Sequence, residues 1–189
     1  MTAIIRSRRT FLGSSGLVLS GAAIALLSGR QALAQGKSGG AQDVIILNVA
    51  LGLEHEGINA YTLGAKSGLL QKPVLDLAVR FQDDHKEHRD TLAVAIRQLG
   101  GKPVEEKPLA AYAKALNADT LKTQADVLAL AARLELGATN AYLGVIPSFK
   151  DPQLAKVAGR LAADEVLHWA ILNNALGKPL PPGGMPFGA

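Results

Sequence analysis

The sequence predicts an all-α protein: an antiparallel four-helix bundle built from two duplicated helical hairpins joined by a long crossover. Three observations carry that prediction. Apolar residues recur at helical spacing in four stretches. The two outer links are short and the middle one is long. The second pair of stretches also repeats motifs of the first.

The first stretch, 43–66, follows a polar, Gly-rich entry at 35–42 that reads as a flexible linker. The second, 73–99, opens on Pro73, where a first helical turn tolerates proline, and is followed by Gly100, a residue suited to closing a helix. The third and fourth stretches are 122–147 and 152–176, the latter with Pro152 and Gly177 in the corresponding places. Links 67–72 and 148–151 are short enough to make antiparallel neighbours of the helices they join. The middle link, 101–121, is long for a compact domain and is expected to hold a short helix around 109–116. The bundle thus occupies one domain, 43–178, and the Pro- and Gly-rich tail at 179–189 is expected to be extended.

Leu53-Glu54 and Asn59-Ala60-Tyr61 return as Leu134-Glu135 and Asn140-Ala141-Tyr142, displaced by 81 residues. Asp84 and His88 return as Asp164 and His168, displaced by 80. Such a repeat predicts pseudo-twofold symmetry, with equivalent side chains facing one another across the bundle.

The net charge of +4 and pI near 9.4 suggest a polyanion partner until the charge is located. Arg6, Arg8, Arg9 and Arg30 lie in the first 34 residues, which contain no acid; without them 16 basic residues face 16 acidic ones. A neutral body offers no counterion-releasing surface, which removes nucleic acid as a leading partner. A basic start, a short apolar middle from Leu17 to Ser28 and the small-x-small Ala32-Leu33-Ala34 describe a secretory signal peptide at 1–34, cleaved after Ala34. The apolar stretch is too short to span a bilayer, so no stable membrane span is expected after cleavage. Arg8-Arg9 before Phe11-Leu12 resembles a twin-arginine export signal. That resemblance implies the export machinery as a partner and a periplasmic or extracellular destination. The absence of cysteine removes disulfides, thiolate ligands and lipid attachment after the leader.

Within each helical stretch one face is apolar except near its middle. The faces run Leu47, Leu51, Glu54, Ile58, Tyr61, Ala65; then Val74, Leu77, Phe81, His85, His88, Leu92, Ala95, Leu99. They continue with Leu128, Ala131, Glu135, Ala138, Tyr142, Val145, and with Leu154, Ala158, Leu161, Glu165, His168, Leu172, Ala175. Three carboxylates and three imidazoles are thereby directed into one core. No Lys or Arg shares these faces. Ionised carboxylates are costly to bury unpaired, and a divalent metal, or two, is the simplest countercharge that also uses imidazole lone pairs. The candidate ligands are Glu54, His85, His88, Glu135, Glu165 and His168. Asp84 and Asp164 flank them as candidate partners for ligating imidazoles. Tyr61 and Tyr142 read as core packing, and His55, Glu56 and Glu87 as solvated.

Glu54, Glu135 and Glu165-x-x-His168 resemble the ferritin-like superfamily of carboxylate-bridged dimetal bundles, in which two helices give a Glu and two give Glu-x-x-His. The resemblance covers about 43–180 and extends to exported bacterial ferritin-like proteins and plant desiccation-related proteins. It implies iron or manganese, one or two ions, with redox chemistry such as ferroxidase or peroxide dismutation if the chain is an enzyme. The second helix departs from the pattern: it reads His85-x-x-His88, and a neutral imidazole offers one lone pair where a carboxylate can bridge two ions. A mononuclear or asymmetric centre therefore stands beside a dinuclear one. A different class of function also fits, a non-catalytic stress-related or interaction protein with a degenerate or empty site. A homo-oligomer is compatible with the sequence, which marks no assembly surface.

Overall fold

A computed structural model describes residues 39–188, and among these the regular structure is entirely helical. Four long helices, α1 (Gly39–Lys66), α2 (Lys72–Gln98), α4 (Gln124–Val145) and α5 (Pro152–Ala175), form the bundle, with the short α3 (Leu109–Ala115) in the crossover. The leader expected at 1–34 lies outside the described residues. Helix α1 starts at Gly39 rather than 43, so helical backbone takes in the end of the expected linker.

Local chemistry sets the helix ends. Asp151 caps α5 by accepting from the Gln153 N–H at 2.8 Å, and Thr123 with Asp126 forms a reciprocal capping box on α4. Helices α2 and α5 close alike. Gly100 and Gly177 adopt φ of 76° and 67°, and the next residue donates back to Ile96 or Asn173. Both hairpins thus finish on the same pair of residues, Leu99-Gly100 and Leu176-Gly177.

Two apolar layers bracket the middle of the bundle. One joins Leu47, Leu51, Leu92, Ile96, Tyr142, Leu154 and Leu161; the other joins Tyr61, Phe81, Leu128, Ala132 and Leu172. The first layer combines the start of α1, the end of α2, the end of α4 and the start of α5. Helices α1 and α5 therefore run against α2 and α4, and the crossover must travel the length of the bundle. It does so along α1: Asn48 binds the Lys102 carbonyl and the Val104 N–H, Asn59 donates to Glu106 at 2.6 Å, and Tyr112 packs beside Ala60 and Leu130.

Several sequence expectations need correction. His55 and Glu56 are buried, at 6% and 7% exposure, because the crossover lies on this side of α1; His55 Nε2 is 3.2 Å from the Val104 carbonyl oxygen. Leu99 and Ala175 end their stripes in solvent, where the helices terminate, and Ile96 takes the buried place instead. The tail has no regular structure and lies on the second hairpin: Phe187 meets Trp169 edge-on at 5.1 Å, and the Gly188 N–H donates to Asn140.

Candidate metal centre

Between the two apolar layers all six predicted ligands converge, and all are buried: Glu165 0%, Glu54 1%, Glu135 2%, His85 and His168 3%, His88 6%. No Lys or Arg pairs with any of them among the described residues. Two groups have ligand atoms close enough to share an ion. One is Glu54, His85, His88 and Glu165; the other is His85, Glu135, Glu165 and His168. His85 and Glu165 belong to both. They are the one pair in which the internal repeat is chemically broken.

The rest of the site follows the repeat and pairs crosswise between hairpins. His88 Nε2 is 3.3 Å from Asp164 Oδ2, and His168 Nε2 is 3.4 Å from Asp84 Oδ2. Both flanking aspartates therefore stand behind imidazoles, as metal sites require of ligand-orienting carboxylates. Tyr61 donates to Glu135 Oε1 at 2.5 Å, and Tyr142 donates to Glu54 Oε1. The tyrosines thus do more than pack. Each stands seven residues after a stripe glutamate, two helical turns along the same face, and the twice-written Glu…Tyr spacing was a signal for this role.

His85 lies across the centre, Nδ1 2.8 Å from Glu54 Oε2 and Nε2 3.3 Å from Glu135 Oε1. Its ring lies against Gly57 of α1, where an added Cβ would stand 3.2 Å from the imidazole. Phe81 stacks on His168 with ring centroids 4.0 Å apart and fixes that imidazole's plane.

The electrostatics follow from this enclosure. Burial opposes charge on every group, yet mutual pairing wins for most. Burial disfavours the Glu54 carboxylate, but hydrogen bonds and attraction from His85 and His88 hold its pKa near 2. Burial likewise disfavours the His88 and His168 imidazoliums, but the glutamates push them up to about 10 and about 9. Glu165 is the exception: burial and repulsion by Glu135 and Glu54 outweigh the attraction of His85 and raise it to about 7. Without a metal, imidazole protons supply the countercharge.

Protons alone leave the site incompletely satisfied. Glu135 Oε2, both oxygens of Glu165, and Nδ1 of His88 and His168 are buried without a hydrogen-bond partner. Buried polar atoms are normally paired, and this concentration of carboxylate oxygens and imidazole nitrogens on one interior point could hold a metal ion. Outside His88 a cleft of about 300 Å³ opens between α2 and α5, lined by Arg80, Asp84, Glu87, Arg160 and Asp164 among others.

A family model described as ferritin-like domain matches residues 42–178. No curated protein matches the chain. Its fold is similar to the crystal structure of a conserved hypothetical protein, rv2844, from Mycobacterium tuberculosis. The two share 24% identity and a TM-score of 0.61, over 79% of this chain and 100% of that one.

Proposed function

The chain belongs to the ferritin-like domain family, and from that premise we propose that it holds iron or manganese within the cluster of Glu54, His85, His88, Glu135, Glu165 and His168. The observation that carries this reading is the set of buried, unpartnered oxygens and nitrogens shared by Glu135, Glu165, His88 and His168. A bound ion would supply redox chemistry, such as ferroxidase or peroxide dismutation. The protein's own groups have separate tasks. Its carboxylates offset the ionic charge, Asp84 and Asp164 steady the imidazoles, and Tyr61 and Tyr142 hold Glu135 and Glu54 in place. The cleft beside His88 gives small solutes an approach to one side of the centre.

Metal analysis of protein taken from its native compartment tests the reading: less than a tenth of an equivalent of any transition metal overturns it. Catalysis has its own test. Oxygen or peroxide turnover should fall in Glu165→Ala, and turnover equal to wild type would leave binding alone.

One observation favours a second reading, a non-catalytic stress-related or interaction protein. Three imidazoles can balance three carboxylates without an ion, and His85 already contacts both Glu54 and Glu135. Under that reading added metal leaves the melting temperature unchanged.

The proposal includes export. The leader at 1–34 carries the paired arginines of a twin-arginine signal, and no helix of the described residues is long and apolar enough to cross a membrane. Replacing Arg8 and Arg9 with lysine should retain the protein in the cytoplasm, and the exported form should begin at Gln35.

A further inference from the structure

Resting on the metal-binding reading, we propose that the centre takes one ion per chain, on the side of the second hairpin. His85 Nε2, Glu135, Glu165 and His168 are its ligands, while Glu54 stays outside the coordination shell and fixes the His85 ring. The reason lies in the hydrogen-bond inventory of the two halves. A neutral imidazole has one N–H and one lone pair, so His85 can ligate toward only one side.

Glu54 decides which side. Its Oε1 accepts from Tyr142 and its Oε2 faces His85 Nδ1 at 2.8 Å, the shorter of the two His85 contacts. With Nδ1–H donated there, both Glu54 oxygens are engaged and the His85 lone pair is on Nε2. That atom faces the half in which Glu135 Oε2, Glu165 Oε2 and His168 Nδ1 are all unpartnered. In the other half His88 Nδ1 and Glu165 Oε1 face each other at 3.2 Å.

Separations on both sides suit an ion, so the open atoms decide the side. On that of the second hairpin, Glu135 Oε1, which also accepts from Tyr61 and leaves Oε2 open, is 3.3 Å from His85 Nε2 and 3.6 Å from His168 Nδ1, and His168 Nδ1 is 3.8 Å from Glu165 Oε2. Ligands about 2.1 Å from a common ion stand roughly 3.0–3.4 Å apart, so a contraction of a few tenths of an ångström closes the site. Phe81 against His168, and Asp84 behind it, hold that ligand ready.

The broken repeat accounts for the single position. Glu165 offers Oε1 to His88 at 3.2 Å and turns Oε2 toward His168. Its repeat partner would do the same as a carboxylate but cannot as an imidazole.

The test is a titration of the metal-stripped, full-length protein with Mn2+, read by elemental analysis and electron paramagnetic resonance. The wild type should bind one equivalent and show the hyperfine pattern of an isolated ion. His85→Glu should bind two and show an exchange-coupled spectrum. Glu135→Gln should retain less than a tenth of an equivalent, whereas Glu54→Gln should still take up one. Two coupled ions in the wild type, or equal loss in Glu54→Gln and Glu135→Gln, overturns the one-ion assignment and leaves metal binding standing. No uptake of Mn2+ or Fe2+ by the wild type overturns the metal-binding reading itself. The wild-type count and the two near-isosteric Gln variants decide the matter even if His85→Glu fails to fold.

Discussion

Asp84 Oδ2 stands 3.4 Å behind His168 Nε2, while its other oxygen binds Arg80 at 2.8 Å. The aspartate comes from the first hairpin and the histidine from the second, so one orients a candidate ligand of the other. A proton held at Nε2 leaves Nδ1 directed inward. Asp84→Asn, which weakens that hold, should reduce metal affinity by about 10–100-fold. Asp164→Asn, behind His88, should cost less than this. Metal titrations followed by competition with a chelator measure both.

Removing a ligand should remove the stabilisation that metal confers. At a free metal concentration about 100 times Kd, binding contributes about 2.7 kcal/mol, roughly 5–10 °C in Tm for a domain of this size. Glu135→Ala and His168→Ala should lose most of the difference between loaded and stripped melting temperatures. Comparing the two states within each variant cancels the variant's own effect on packing. An undiminished difference would place the ion elsewhere.

Alkali should destabilise the metal-free protein while tightening its hold on metal. His168 and His88 have folded pKa values raised to about 9 and about 10. Their contribution to metal-free stability is complete below the ordinary imidazole value of about 6.5 and disappears as pH rises through 9 to 10. Metal competes with the same protons, so affinity should increase over that range. Glu54, held near 2, contributes above the usual carboxylate value and loses that contribution as pH falls toward 2. Thermal melts at pH 3, 6, 8 and 10 with chelator, and metal titrations at pH 6 and 8 with Mn2+, check the signs.

Gly57 makes room for the His85 ring. Alanine is better than glycine in a helix by about 1 kcal/mol, but here its Cβ would press on the imidazole at 3.2 Å. Gly57→Ala should therefore lower metal affinity by about tenfold or more, as changes to groups supporting a ligand do, with little loss of helix content. Gly137 on α4 has open space around its Cβ position, and Gly137→Ala should leave affinity unchanged. Circular dichroism and metal titration of the pair separate the two effects.

Periodicity and punctuation were enough to place the helices. Stripes of Leu, Ile and Ala around Glu54, His85, Glu135 and Glu165 leave only one way to bury each helix, and Pro73, Gly100, Pro152 and Gly177 mark ends through purely local backbone geometry. Convergence of the six ligand-type side chains was legible for the same reason: each belongs to the face its helix must bury. The environment of His55 and Glu56 was not, because burial there depends on a crossover whose path no local pattern encodes. Nor could spacing along one helix reveal that Asp84 serves His168 and Asp164 serves His88, since those pairings join residues more than 70 positions apart. The amino-acid order set which chemical groups enter the core and at what depth. Only the packing of one hairpin against the other decided which atom faces which, because hydrogen-bond direction depends on the rotation of whole helices about their axes.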